Sequence, residues 1–173
     1  LEGDFAREAD RMRQRYGGLI EEKRISQVKI AIPERPSGDG LLYAFLPTSI
    51  KTNLPFHINA DFYPSSDRKI ILFDSQHFKC EWNRLAIACA SRTLAENVDQ
   101  LLEFMKPKLF WEFATQVKMA SNRRIIDDVF RRFWEELKPE IEVKPTVLTI
   151  FDKKLPPSET ILLSSDKQNE AIE

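Results

Sequence analysis

The chain has 173 residues, 42% hydrophobic and 31% charged, enough to bury one sizeable core, so a single folded domain is predicted. Its 26 Lys and Arg against 27 Asp and Glu give a formal net charge of -1, which excludes the strong overall field of a dedicated nucleic-acid or acidic-membrane binder and leaves room for a local basic patch. No apolar run approaches the ~20 residues that span a bilayer and no charged-then-apolar leader opens the chain, so a cytoplasmic protein without membrane contact is expected.

The sequence lacks an initiator methionine and starts directly in helical spacing, as an excised piece of a larger protein does. Phe5, Ala9, Met12 and Tyr16 recur at helical intervals until Gly17-Gly18 ends the pattern. Residues 1–24 therefore read as a leading helix and linker. Val28, Ile30 and Ile32 alternate with polar residues, the period of a half-buried strand closed by Pro33. After the loop "ERPSGDG", "LLYAFLP" reads as a second strand, apolar on both faces. In "PFHINADF", Phe56, Ile58, Ala60 and Phe62 share one face, and His57, Asn59 and Asp61 the other. Polar residues spaced by two are what an antiparallel strand needs on its wet face. "YPSSD" then makes a turn, and "RKIILF" returns as a fourth strand.

From residue 79 the period becomes helical. Trp82, Leu85, Ala86, Cys89, Leu94, Val98, Leu101 and Met105 form one apolar stripe, predicting a first long helix of roughly 25 residues. Pro107 suits the opening turn of a second helix carrying Leu109, Phe110, Phe113 and Val117. Ser121 or Asn122 would cap a third, with Ile125, Ile126, Val129, Phe130, Phe133, Trp134 and Leu137 inward and Pro139 ending it. "KPTVLTIFD" and "ETILLSS" read as two short strands around "KKLPP". The expected fold is α+β: a small, mostly antiparallel sheet packed against three helices, one domain over residues 25–165, with 166–173 a frayed tail.

Two histidines, His57 and His77, and two cysteines, Cys80 and Cys89, give no metal-ligand spacing, and the cysteines are expected to be reduced thiols, too far apart on one helix for a disulfide. Five scattered glycines build neither a Walker loop nor a dinucleotide fingerprint. No self-contained catalytic, cofactor or metal site is therefore expected in this chain. The chemistry left over is the turn "SSDRK", residues 65–69, where Arg68 offers a planar fork of donors and Lys69 a mobile charge to a phosphate.

"YAFLPTSIKTNLPFHINADFYPSSDRKIILF", followed by "EWNRLAI", resembles the segment just after the ATPase domain in sacsin-like proteins. There a strand ending in Leu-Pro leads to Thr-Gly-Leu-Pro, an alternating strand with His or Asn, a Ser-Ser-x-Arg turn and a Trp-Asn helix. "PTVLTIFDKKLPPSETILLSS" is similar to a later stretch of the same family. Asn53 stands where the family usually has glycine, and Phe151-Asp152 replaces its tryptophan region. The resemblance spans roughly residues 40–165. It implies a middle-domain-like transducer of a GHKL ATPase, the class of the heat-shock chaperones, gyrase and histidine kinases. The chain itself would be non-enzymatic, with ATP and magnesium in the neighbouring ATPase domain of the same parent chain. It would couple nucleotide state to chaperone-type remodelling or to a client or partner protein. Arg68 or Lys69 would reach the γ-phosphate from outside. The rival reading is an autonomous binding module, for nucleic acid in a bacterial defence protein, using Arg123, Arg124, Arg131 and Arg132. These alternate with Asp127, Asp128, Glu135 and Glu136, and solvated ion pairs explain them more simply.

Overall fold

The computed structural model describes residues 1–122, 128–149 and 151–160. In chain order the elements are β1 (Glu2–Asp4), α1 (Ala6–Tyr16), β2 (Gln27–Ala31), β3 (Leu41–Ala44), β4 (Leu46–Lys51), β5 (His57–Ala60), α2 (Phe78–Glu96), α3 (Val98–Phe104), α4 (Pro107–Ser121) and α5 (Arg131–Val143). A short hairpin follows, β6 (Val147–Leu148) with β7 (Lys154–Leu155). The class is α+β. Strands β1 to β5 form one mixed sheet in the order β1-β2-β5-β3-β4, in which β3 and β5 run parallel and the other pairs antiparallel.

The alternating strands bury the faces their spacing marks. Val28 and Ile30 on β2, with Phe56, Ile58, Ala60 and Phe62 along and beside β5, are buried against the helical layer. Phe56 meets Phe113 of α4 and Phe133 of α5, with ring centroids 5.8 and 5.3 Å apart. Helix α2 packs on β1 and β2 and against α1, α3 and α5, and it carries fully buried Trp82, Ala86, Ile87 and Leu94. Phe5, Ala9 and Met12 of the leading segment enter the same core, and Gly17 and Gly18 leave α1 through positive φ angles of 30° and 74°.

Several expected boundaries are corrected. The described residues hold five α-helices where three were expected, because the 25-residue helix divides into α2 and α3 and because α1 joins the core. The division falls at Asn97. Its side-chain amide donates to the Thr93 carbonyl at 2.8 Å, the acceptor its own backbone N–H would use, and that N–H turns to Ala95 instead. "LLYAFLP" is two strands: the chain reverses at Phe45, whose φ is 62° and whose N–H is held by Asn59 Oδ1 at 3.1 Å. "RKIILF" forms no strand. It makes one bridge, Ile71 with Pro64, and the Leu72 and Phe73 carbonyls face side chains of α2 rather than a strand. Ser121 is the last residue of α4, not a cap for the next helix, and its hydroxyl donates to the Phe130 carbonyl at 3.0 Å. Pro139 lies inside α5, which runs on to Val143. The partner of β6 lies within "KKLPP", and most of "ETILLSS", like the 166–173 tail, lies outside the described residues.

The parallel pairing has a local cause. To reach β5 from β4, residues 52–56 arch across the start of β3, where the Gly40 N–H donates to Leu54 O and the Thr52 N–H to Gly40 O, both at 2.9 Å. A Cβ at Gly40 would stand 2.3 Å from Phe56 O and 2.5 Å from Leu54 O. Asn53, at φ 58°, turns the arch in the left-handed region that glycine enters most easily and asparagine tolerates. Gly40→Ala is therefore expected to destabilise the fold by about 3 kcal/mol or more, since the colliding atoms are backbone. Urea unfolding within about 1 kcal/mol of wild type would show that the arch can yield.

Candidate functional site

The polar row of β5 is engaged in holding the backbone. His57 Nδ1 accepts the Leu41 N–H at 3.1 Å, and Asn59 Oδ1 the Phe45 N–H at 3.1 Å. Beyond the strand, Asp61 takes Arg24 at 2.5 Å on one oxygen and the Ile25 N–H at 3.1 Å on the other. Arg24 is mostly buried in this ion pair, and its guanidinium lies 3.6 Å over the Tyr63 ring. These residues pin the loops entering β3, β4 and β2. None of them is presented to a ligand as a group.

"EWNR" at residues 81–84 proves to be a clamp. Glu81 accepts from the Tyr16 hydroxyl at 2.7 Å. The Trp82 indole N–H donates to Asp61 O at 2.9 Å. Asn83 accepts the Tyr63 N–H at 2.8 Å and donates to Tyr63 O at 2.9 Å and Leu72 O at 3.0 Å. Arg84 donates to the carbonyls of Phe73 and Ser75. One helical turn thus satisfies six backbone groups of the irregular segment between β5 and α2, which has no sheet ladder to do so. Sequence inspection saw Trp82 as a core residue but missed its neighbours' role. The signal was present as four polar-capable residues in a row on an otherwise buried helix.

That clamp presents the "SSDRK" turn. The Arg68 N–H closes onto Ser65 O at 2.8 Å, with Arg68 itself at φ 57°. Asp67 Oδ1 accepts the Ser65 hydroxyl at 2.5 Å and the Lys69 N–H at 3.1 Å, while Ser65 Oγ accepts the Ile70 N–H at 3.1 Å. The Ser49 N–H of β4 donates to Lys69 O at 2.7 Å, tying the turn to the sheet edge. Both expected site residues are thus together and exposed, and among the described residues neither the Arg68 nor the Lys69 side chain has a partner. The Ser65 hydroxyl is engaged within the turn.

The Asp67 carboxyl is held below its usual range, first by the Ser65 hydroxyl and then by the Lys69 amide. A carboxyl with a folded pKa below its unfolded one contributes its stabilisation above the unfolded value, near 3.9, and loses it as pH falls through the lowered folded value. The turn should therefore hold one geometry at neutral pH. A carboxyl-carbon NMR titration of Asp67 is expected to show a midpoint below about 3.9, and a midpoint at or above that value would mean that these bonds do not persist in solution.

Cys80 and Cys89 are free, buried thiols on α2, and burial raises the Cys89 pKa. Among the described residues no group of three or more His, Cys, Asp or Glu could hold a metal ion, and no helix is long and apolar enough to cross a membrane. Of the arginines in the rival reading, Arg123 and Arg124 lie outside the described residues together with Asp127, and Arg131 and Arg132 are exposed on α5. Arg132 and Glu136 form no ion pair despite their helical spacing. Compared with family models, curated proteins and solved structures, the chain matches none of them.

Proposed function

We propose that the chain is a non-catalytic transducer and interaction domain of a sacsin-like GHKL ATPase, relaying the nucleotide state of an adjacent ATPase domain to remodelling of a client or partner. The observation that carries this reading is the state of the "SSDRK" turn. Its Ser65 and Asp67 side chains and the Arg68 and Lys69 amides are engaged in holding its shape, leaving the Arg68 and Lys69 side chains exposed and without partners among the described residues. A cation pair held so on a braced turn fits a group that completes a neighbour's phosphate site better than one that works alone. Asn53 departs from the glycine usual in sacsin-like proteins. The left-handed backbone there is one that the glycine of sacsin-like proteins adopts freely, so the exchange leaves the arch possible.

The test is steady-state ATP turnover in the parent protein with Arg68→Ala and Lys69→Ala, beside the wild type. A clear fall in turnover with unchanged nucleotide affinity is expected. Turnover equal to wild type in both variants rejects the γ-phosphate role.

A further inference from the structure

A second cationic feature lies between α1, α2 and α5, and it does not depend on the ATPase reading. A cleft of about 410 Å³ opens there, and Arg11, Arg15, Arg84 and Arg132 all contribute to its walls. Met12 and Leu85 supply apolar surface. Its two carboxylates, Glu8 and Glu81, are both engaged. Glu8 is held by Arg92 at 3.3 Å, and Glu81 accepts from Tyr16 at 2.7 Å and Arg15 at 3.4 Å. Arg15 is itself a partner of Glu81, so three further guanidiniums, those of Arg11, Arg84 and Arg132, lie beside two carboxylates that already have partners. Arg84 donates to two neutral carbonyls, which fix its head without cancelling its charge. Arg11 lies near Glu8 but makes no hydrogen bond among the described residues, and Arg132 has no partner there.

We infer that this cleft binds a compact organic phosphate carrying two or more negative charges. The volume falls at the lower end of small-ligand sites, roughly 300–1,000 Å³. Arginines from three helices line one space, and guanidinium forks suit several phosphate oxygens in a small group better than carboxylates spread along a chain. The anchored Arg84 is already ordered, so less side-chain freedom is lost on binding. The apolar wall provides a seat for an organic body. The pattern was invisible in sequence because the four arginines are distributed over residues 11–132 and acquire a common address only when α1 and α5 pack on α2.

The probe is inorganic tripolyphosphate, titrated by calorimetry into the 173-residue chain at about 50 mM salt, where screening is modest. Saturable one-to-one binding is expected, weakened about tenfold by either Arg11→Gln or Arg132→Gln and abolished by the pair. Arg7→Gln removes the same charge from an exposed position of α1 outside the cleft, and it should leave affinity within about twofold. Three results would overturn the assignment. These are no saturable binding to wild type, equal weakening by Arg7→Gln, or a single-stranded oligonucleotide or polyglutamate peptide binding more tightly than tripolyphosphate through the same arginines.

Discussion

Replacing Trp82 by alanine is expected to lower the free energy of unfolding by about 3–5 kcal/mol, the range for deleting a large buried aromatic side chain. Trp82 is fully buried where α2 meets the sheet. Its ring packs edge-on to Phe5 at 5.2 Å and Tyr63 at 6.2 Å, with the Arg13 guanidinium 5.6 Å from its centre. Truncation would open a cavity between three elements that cannot all close on it, because β1 and β5 are fixed by their pairing with β2. It would also leave the Asp61 carbonyl, which accepts the indole N–H at 2.9 Å, with only its bond from Arg24. Trp82→Phe separates the two contributions. It keeps most of the ring volume and removes the donor, so it should cost about 1–2 kcal/mol. Urea unfolding monitored by far-UV circular dichroism decides the matter, and a loss below about 1 kcal/mol for the alanine variant would mean that Trp82 carries little of the junction.

What the sequence made legible follows from where side-chain period dominates. The apolar alternation of β2 and β5 and the stripe on α2 led directly to buried faces, because burial acts on every second or every third and fourth residue alike. The misses share another cause: one side chain overriding a local preference. Asn97 takes the acceptor of its own backbone amide and divides a helix that the apolar stripe carries through. Phe45 reverses the chain at a residue type that ordinarily avoids positive φ, and the reversal depends on Asn59, fourteen residues away. Asn83 and Arg84 satisfy carbonyls that would otherwise have required a fourth strand. Arg68 and Lys69 were legible as an exposed pair, since a turn places its charges outside. The role of Asp67 as their brace was not, because the same residue reads equally well as an ion-pair partner.

In the parent protein, Arg68→Ala is expected to cut ATP turnover by roughly ten- to a thousandfold, about 1.4–4 kcal/mol, with little change in nucleotide affinity. The split follows from where the charge would act. A guanidinium that meets the γ-phosphate only when the domains close opposes charge developing in transfer, so it favours the transition state over the bound ground state. Arg68 should matter more than Lys69, because its fork can engage two phosphate oxygens where an ammonium acts as a point charge. Arg68→Lys should accordingly restore only part of the lost turnover. Stability supplies the internal control: Arg68 is exposed and without a partner among the described residues, so its alanine variant should unfold within ~0.5 kcal/mol of wild type. Arg68→Gly sharpens that control, because glycine accepts the φ of 57° without strain and still lacks the charge. If both variants lose turnover while the fold is intact, the loss belongs to the guanidinium and not to the shape of the turn. If Arg68→Gly turns over ATP like wild type, the guanidinium has no part in catalysis, and the cations of this turn serve a surface other than the ATPase domain.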